Sequence, residues 1–177
     1  NSDGSWSLNS SKNQAILIAE EAHYVSVSTN QEYAGIIDEQ GLTIRNIENG
    51  KESKYSGIFS SRAIWNRESN RIAVQSGNSL LVFTAGAKLI NTIQIPLGSS
   101  LAGWGSNSES LLFGTQDIYG QGYILRSVDL DNGEILNIFY LDKSAIKNIN
   151  LQISSDGNWI AYRGAQQATL MIKNLRT

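Results

Sequence analysis

Ile153-Ser154-Ser155-Asp156-Gly157-Asn158-Trp159-Ile160-Ala161-Tyr162 reads as an apolar anchor, a tight polar turn and an apolar run, so a strand, a turn and a second strand. Asp156-Gly157 is the turn, since glycine tolerates positive φ. The phrase recurs in weaker form at Trp65-Asn66-Arg67-Glu68-Ser69-Asn70-Arg71-Ile72-Ala73-Val74 and at Trp104-Gly105-Ser106-Asn107-Ser108-Glu109-Ser110-Leu111-Leu112-Phe113. Self-similarity of this kind describes small units that bury their faces only against their neighbours.

Aligned on the residue before each second strand, the copies fall at Glu32, Asn70, Glu109 and Asn158, with spacings of 38, 39 and 49 residues. Four-stranded propeller blades recur at roughly 40 to 50 residues, and no apolar period of a helix competes. The spacing predicts an all-β fold, a β-propeller of about four blades of antiparallel strands. The first unit is expected to hold strands near 24–28, 33–37, 42–47 and 53–58, with Asn49-Gly50 as a hairpin turn. Expected strands follow near 62–65, 71–75, 79–83 and 89–95, then near 101–103, 110–115, 123–130 and 135–141. The last unit has only three, near 150–154, 159–163 and 169–175.

The whole chain, 1–177, thus reads as one repeat domain with blades roughly at 22–58, 59–96, 99–142 and 145–177. An open strand edge invites aggregation, and the apolar segment Ala15-Ile16-Leu17-Ile18-Ala19 is the natural strand to cover the fourth blade's edge, completing it with 13–20. The competing expectation is a fragment of a larger propeller. Leu8-Asn9 followed by Asn13 to Leu17 matches Trp65-Asn66 followed by Asn70 to Val74, which makes Trp6 to Ile18 the tail of another blade.

The segment Ile153 to Tyr162 resembles the signature of TolB-type, WD-like propeller repeats, in which a strand ends in Ser-Pro-Asp-Gly and the next opens with an apolar-Ala-aromatic step. Val128-Asp129-Leu130-Asp131-Asn132-Gly133-Glu134 is similar to the Asp-Leu-x-x-Gly turn that ends the third strand of those repeats, and Asn46 to Lys51 matches it more loosely. Ser155 stands where the family usually has proline, and Thr177 stops just before the expected glycine, which adds weight to the fragment reading. The resemblance implies an interaction platform of antiparallel blades and no reaction.

Composition excludes several classes. The 14 basic and 16 acidic residues are dispersed without a like-charge block, which gives no footprint for nucleic acid. With no cysteine there is no thiolate metal site, disulfide or cysteine nucleophile. No apolar run reaches the ~18 residues of a membrane span, so the chain is not expected to span one. Abundant Asn, Ser, Gln and Gly with sparse Lys point to an exported bacterial protein, periplasmic or secreted.

His23 is the one histidine, and no G-x-S-x-G element accompanies it, so a Ser-His-Asp machine is not expected and a structural or exposed role is. Asp129 to Glu134 alternates oxygen ligands around a glycine, yet an EF-hand glutamate would fall at Tyr140, and a hairpin turn accounts for the same residues. Glycines form neither a G-x-x-x-x-G-K loop nor a dinucleotide fingerprint, so no cofactor is expected.

Gly114 to Tyr123 lies where the third unit gains about ten residues. A glycine-flanked insertion bearing Asp117, Tyr119 and Tyr123 fits a contact loop for a protein partner, and a longer hairpin without a ligand is the plainer reading. Trp65 and Trp104 share a repeat position and read as core, Trp159 as a wedge between blades, and Trp6 as a partly exposed contact residue. These features predict a non-catalytic protein-interaction scaffold, not an enzyme. The alternatives are the accessory propeller of a larger enzyme such as a serine peptidase, and a propeller that binds a glycan or small ligand.

Overall fold

The structure is a computed structural model that describes residues 22–117, 119–142, 151–163 and 170–176, and the backbone of Ser5–Asn9 and Gln14–Ala19. Among the described residues every regular element is a strand. The first sheet holds β3 (Tyr24–Val27), β4 (Tyr33–Ile37), β5 (Gly41–Asn46) and β6 (Glu52–Ser56). The second holds β7 (Ile64–Trp65), β8 (Arg71–Ser76), β9 (Ser79–Thr84) and β10 (Leu89–Gln94). The third holds β11 (Ser100–Trp104), β12 (Ser110–Gln116), β13 (Gly122–Asp129) and β14 (Ile135–Asp142). β15 (Gln152–Ile153), β16 (Trp159–Arg163) and β17 (Leu170–Asn174) form the fourth.

Each sheet is a meander whose neighbours in sequence are neighbours in space, the layout of propeller blades. β1 (Ser5–Asn9) and β2 (Gln14–Ala19) make a separate antiparallel pair with Leu8 opposite Ala15, so the segment expected beside the fourth sheet pairs with its own upstream neighbour. A short connection makes that pairing cheap in loop-closure entropy. No helix among the described residues is long and apolar enough to cross a membrane.

The repeat is carried by main-chain hydrogen bonds. At the first turn of each blade, Ser28, Asn66, Gly105 and Ser154 each donate N–H to Tyr33, Arg71, Ser110 and Trp159 in turn. The carbonyls of Ser28, Asn66, Gly105 and Ser154 in turn accept the N–H of Gln31, Ser69, Ser108 and Gly157. Those four acceptor-bound residues all have φ between 57° and 68°: 61°, 61°, 58° and 67°. Only the fourth repeat has glycine at this left-handed position, which is why its sequence shows the turn most clearly. Next along, Glu32, Asn70, Glu109 and Asn158 use their carbonyls to accept the N–H of Ile47, Ala85, Leu130 and Leu175, tying the second strand to the end of the third.

Polar side chains brace these turns. Asn46 Oδ1 accepts from the N–H of Glu48 and Asn49, and Asp129 Oδ1 from those of Asp131 and Asn132. Gly50 and Gly133 close the two turns at φ 71° and 73°. Asp156 accepts from the Ser154 hydroxyl and from the main-chain and side-chain N–H groups of Asn158. The Ser154 hydroxyl and the Asn158 N–H groups hold the Asp156 carboxyl down to about 2.

The chain divides into two compact units, Asn1–Gly77 with Leu81–Ile90, and Asn78–Leu80 with Asn91–Thr177. In the first, Ile37, Leu42 and Ile44 of the first sheet pack with Ala63, Trp65, Ile72, Val74 and Phe83. Tyr33 stacks on Trp65 with centroids 6.0 Å apart, and Trp65 Nε1 donates to the Ser26 carbonyl at 3.2 Å. Gly35 lets the two sheets approach closely, since a Cβ there would stand 2.4 Å from Ile72 Cδ1 and the isoleucine tip would have to shift. In the second unit Leu112, Leu125 and Leu141 pack with Leu151, Ile160 and Tyr162. Lys173 lies over Phe139, 3.7 Å from the ring centroid, and Asn91 Nδ2 donates to the Leu130 carbonyl. Each wholly buried Leu, Ile or Phe stabilises by about 1.5–3 kcal/mol relative to exposure.

Candidate functional site

The insertion of the third repeat is spent on longer strands and a hairpin tip. β12 runs to Gln116 and β13 starts at Gly122, with Gln116 opposite Tyr123 in register. Across the tip, the Asp117 N–H donates to the Gly122 carbonyl at 3.0 Å, and the Gly120 N–H to the Asp117 carbonyl at 3.1 Å with φ 67° at Gly120. Aspartate suits the first position because its short carboxylate folds back onto the N–H groups that the turn leaves free.

Asp117 Oδ1 accepts the N–H of Tyr119 at 3.0 Å and of Gln121 at 2.9 Å. Its Oδ2 accepts the hydroxyl of Tyr140 at 3.0 Å, from the middle of β14. Partial desolvation works against the charge of Asp117, but the N–H of Gln121, the Tyr140 hydroxyl and the N–H of Tyr119 outweigh it and hold the carboxyl below its ordinary value. The hydrogen bond to Asp117, joined by desolvation and by the charges of Asp117 and Asp142, raises Tyr140 above the usual phenol range.

Gly122 makes the arrangement possible. A Cβ at Gly122 would lie 2.6 Å from the Tyr140 hydroxyl oxygen and 2.4 Å from the Leu141 carbonyl, so only glycine lets the phenol lie across the base of the hairpin.

Of the residues singled out by sequence, Asp117 and Tyr119 are brought together at this tip. Tyr119 is 78% exposed on a turn whose backbone is tied at two points to one carboxylate group, which the Tyr140 hydroxyl also binds. Tyr123 leans the other way, half-buried against the cluster of Leu112, Leu125 and Leu141. The side chain of Trp6 lies outside the described residues. Tyr140 is the member that sequence reasoning missed. Its signal was its place in a strand paired with the insertion, opposite Ile124, which becomes legible only once the register is known.

The other candidates are plain. His23 is exposed at the start of β3 and donates its main-chain N–H to Ile37. The carboxylate of Asp129 faces its own turn, as described above. Trp65 and Trp104 are buried, whereas Trp159 is about half exposed, 45%. Elsewhere, a cleft of about 260 Å³ opens in the first unit between Tyr33, Ile44, Asn46, Lys51, Ser53 and Gly86, among others.

No protein-family model and no curated protein matches this sequence. Solved structures do match by fold. The putative TolB from Agrobacterium tumefaciens superposes with a TM-score of 0.66 at 13% identity, over 90% of this chain and 60% of that one. TolB from Acinetobacter baumannii gives 0.66 at 11% identity, over 93% of this chain and 44% of that one. The propeller domain of the Trilobed protease from Pyrococcus furiosus gives 0.63 at 14%, over 92% and 58%. The fold is that of a β-propeller similar to TolB-type domains, and the chain spans about half the length of these structures.

Proposed function

We propose that the protein is a non-catalytic interaction scaffold that contacts a protein partner through the hairpin tip of its third repeat, in an extracytoplasmic compartment of a bacterium. One observation carries the reading: Tyr119 projects into solvent from a turn whose conformation is set beforehand by Asp117, so little ordering entropy opposes its burial by a partner. Tyr140, also exposed beside Asp117, supplies the neighbouring contact. The likeness to TolB supports a binding rather than a reacting role. Nucleic acid is a poor partner for this face, where the charges acting on Tyr140 among the described residues are those of Asp117 and Asp142.

The test is cross-linking in the source cells with the parent chain, a Tyr119→Ala variant, and a chain with Asp117–Gly122 shortened to a two-residue turn. Loss of the same cross-linked protein in both variants is expected. Unchanged partner recovery from both would remove the proposal.

A second reading, the accessory propeller of a peptidase, is favoured by the likeness to the Trilobed protease domain. A native polypeptide carrying a hydrolase domain would support it over the free scaffold, and mass spectrometry of the protein from its source decides between them.

A further inference from the structure

The register of the first sheet places Tyr33, Asn46 and Lys51 in one row and Gly35, Ile44 and Ser53 in the next, all on the face that meets the second sheet. Ile72 packs over Gly35, whereas the row of Asn46 is faced by the small turn residues Ala85 and Gly86. Small residues there leave the cleft of about 260 Å³ open. Ile44, 2% exposed, and the half-buried Tyr33 give it an apolar base, and Asn46, Asn49, Lys51 and Ser53 form a polar wall.

This wall donates. Asn46 Oδ1 is taken by the N–H groups of Glu48 and Asn49, and Asn49 Oδ1 by that of Lys51, so each amide has its NH2 group left to offer. Lys51 adds a cation, and no carboxylate lines the cleft. Glu52 alternates to the other face of its strand, where Arg45 and Lys54 hold it at 4.0 and 3.3 Å.

The turn does not call for these side chains. The third repeat closes the same turn, with the Asp129 N–H on the Glu134 carbonyl as the Asn46 N–H is on that of Lys51, and there both places carry carboxylates. Asp129 Oδ1 accepts from two N–H groups of its turn as Asn46 Oδ1 does. An amide and an ammonium in place of two carboxylates leave the backbone as it is and turn an acceptor surface into a donor one.

We infer that this cleft binds a small hydroxylated organic acid with one carboxylate, of the size of a single sugar acid. The carboxylate pairs with Lys51 and accepts from the Asn46 and Asn49 amides, a hydroxyl meets Ser53, and the carbon skeleton lies against Ile44 and the Tyr33 ring. One cation matches one negative charge, and the volume, below the ~300 Å³ at which drug-sized pockets begin, holds one ring. The site is independent of the hairpin tip, since it lies in the first compact unit and Asp117 and Tyr140 lie in the second.

The probe is glucuronate, titrated into the isotope-labelled 177-residue chain beside glucose and inorganic phosphate, with the side-chain amide signals of Asn46 and Asn49 followed by NMR. Saturable shifts are expected with glucuronate, and binding weaker by about tenfold or more with glucose and with phosphate. Asn46→Asp combined with Lys51→Glu gives the first repeat the side chains of the third, so the turn is kept. Its affinity for glucuronate, followed by the Asn49 signal, should fall by about tenfold or more with little change in the urea midpoint. Lys51→Met, which keeps the stem and removes the charge, serves if the double variant does not fold. No saturable shift in the parent chain, or equal affinity in a folded variant, would overturn the inference. So would glucose binding as tightly as glucuronate, which would deny the carboxylate its role, or phosphate doing so, which would leave an anion contact with no place for the skeleton.

Discussion

The main-chain nitrogen of Ser106 lies 2.4 Å from the point at which a Cβ on Gly157 would stand, so the turns of the third and fourth repeats touch through bare backbone. Gly157 also has φ 67°, where a side chain is strained in any surroundings. Gly157→Ala is expected to cost more than about 2 kcal/mol in urea unfolding, from strain and overlap together. Gly77→Ala is the control: φ there is 57° but nothing lies within 4 Å, so only the strain of about 1 kcal/mol should appear. Equal losses in the two variants would refute the contact.

Gln31, Ser69 and Ser108 hold the same left-handed place without being glycine. Gln31 is exposed, and Gln31→Gly relieves its strain at the cost of a freer unfolded chain. The balance favours the folded state by about 0.5–1 kcal/mol, read as a raised urea midpoint. No gain would mean that the Gln31 side chain contributes as much as its backbone strain removes.

Asp156 ties its stability contribution to acid. Its carboxyl is held to about 2 in the folded chain against 3.8 when free, so the contribution is complete above 3.8 and is lost as pH falls toward about 2. Asp156→Asn keeps a turn-forming side chain, as Asn107 does at the matching place. It should be less stable than the parent at about pH 6 and equal to it near the acid limit. A stability gap that is constant across this range would exclude the linkage.

Tyr140→Phe removes the hydroxyl that Asp117 accepts while leaving the ring over Gly122. The Asp117 carboxyl should titrate at higher pH, observed by NMR, and the Tyr119 and Gln121 amides should exchange faster with solvent. Tyr119→Ala, by contrast, should leave global stability within about 0.5 kcal/mol, because the ring touches little of the fold. A large loss from Tyr119→Ala would place that ring in the core rather than at a contact surface.

Strand positions were legible because apolar runs alternate with Gly, Asn and Asp turns: β4, β8, β12 and β16 lie within a residue of where the repeat puts them. The partner of β2 was not legible, since an apolar stretch such as Ala15 to Ala19 states that it pairs but not with what. The surroundings of Trp159, 45% exposed, were not legible either, because repeat position alone does not say what covers a face. At the hairpin tip, Asp117 and Tyr119 announced themselves by composition. Tyr140 did not, because its link to Asp117 spans 23 residues of sequence and exists only through the pairing of β13 with β14.

The four repeats agree on main-chain donors, acceptors and dihedral angles while disagreeing on nearly every side chain at the turn, where Gln31, Ser69, Ser108 and Gly157 do the same job. Natural selection on such a unit acts through a conformation that many residues can adopt. The sequence can therefore vary until no family model matches it, while the fold still superposes on solved propellers. The repeat in this chain is better preserved in its hydrogen bonds than in its letters.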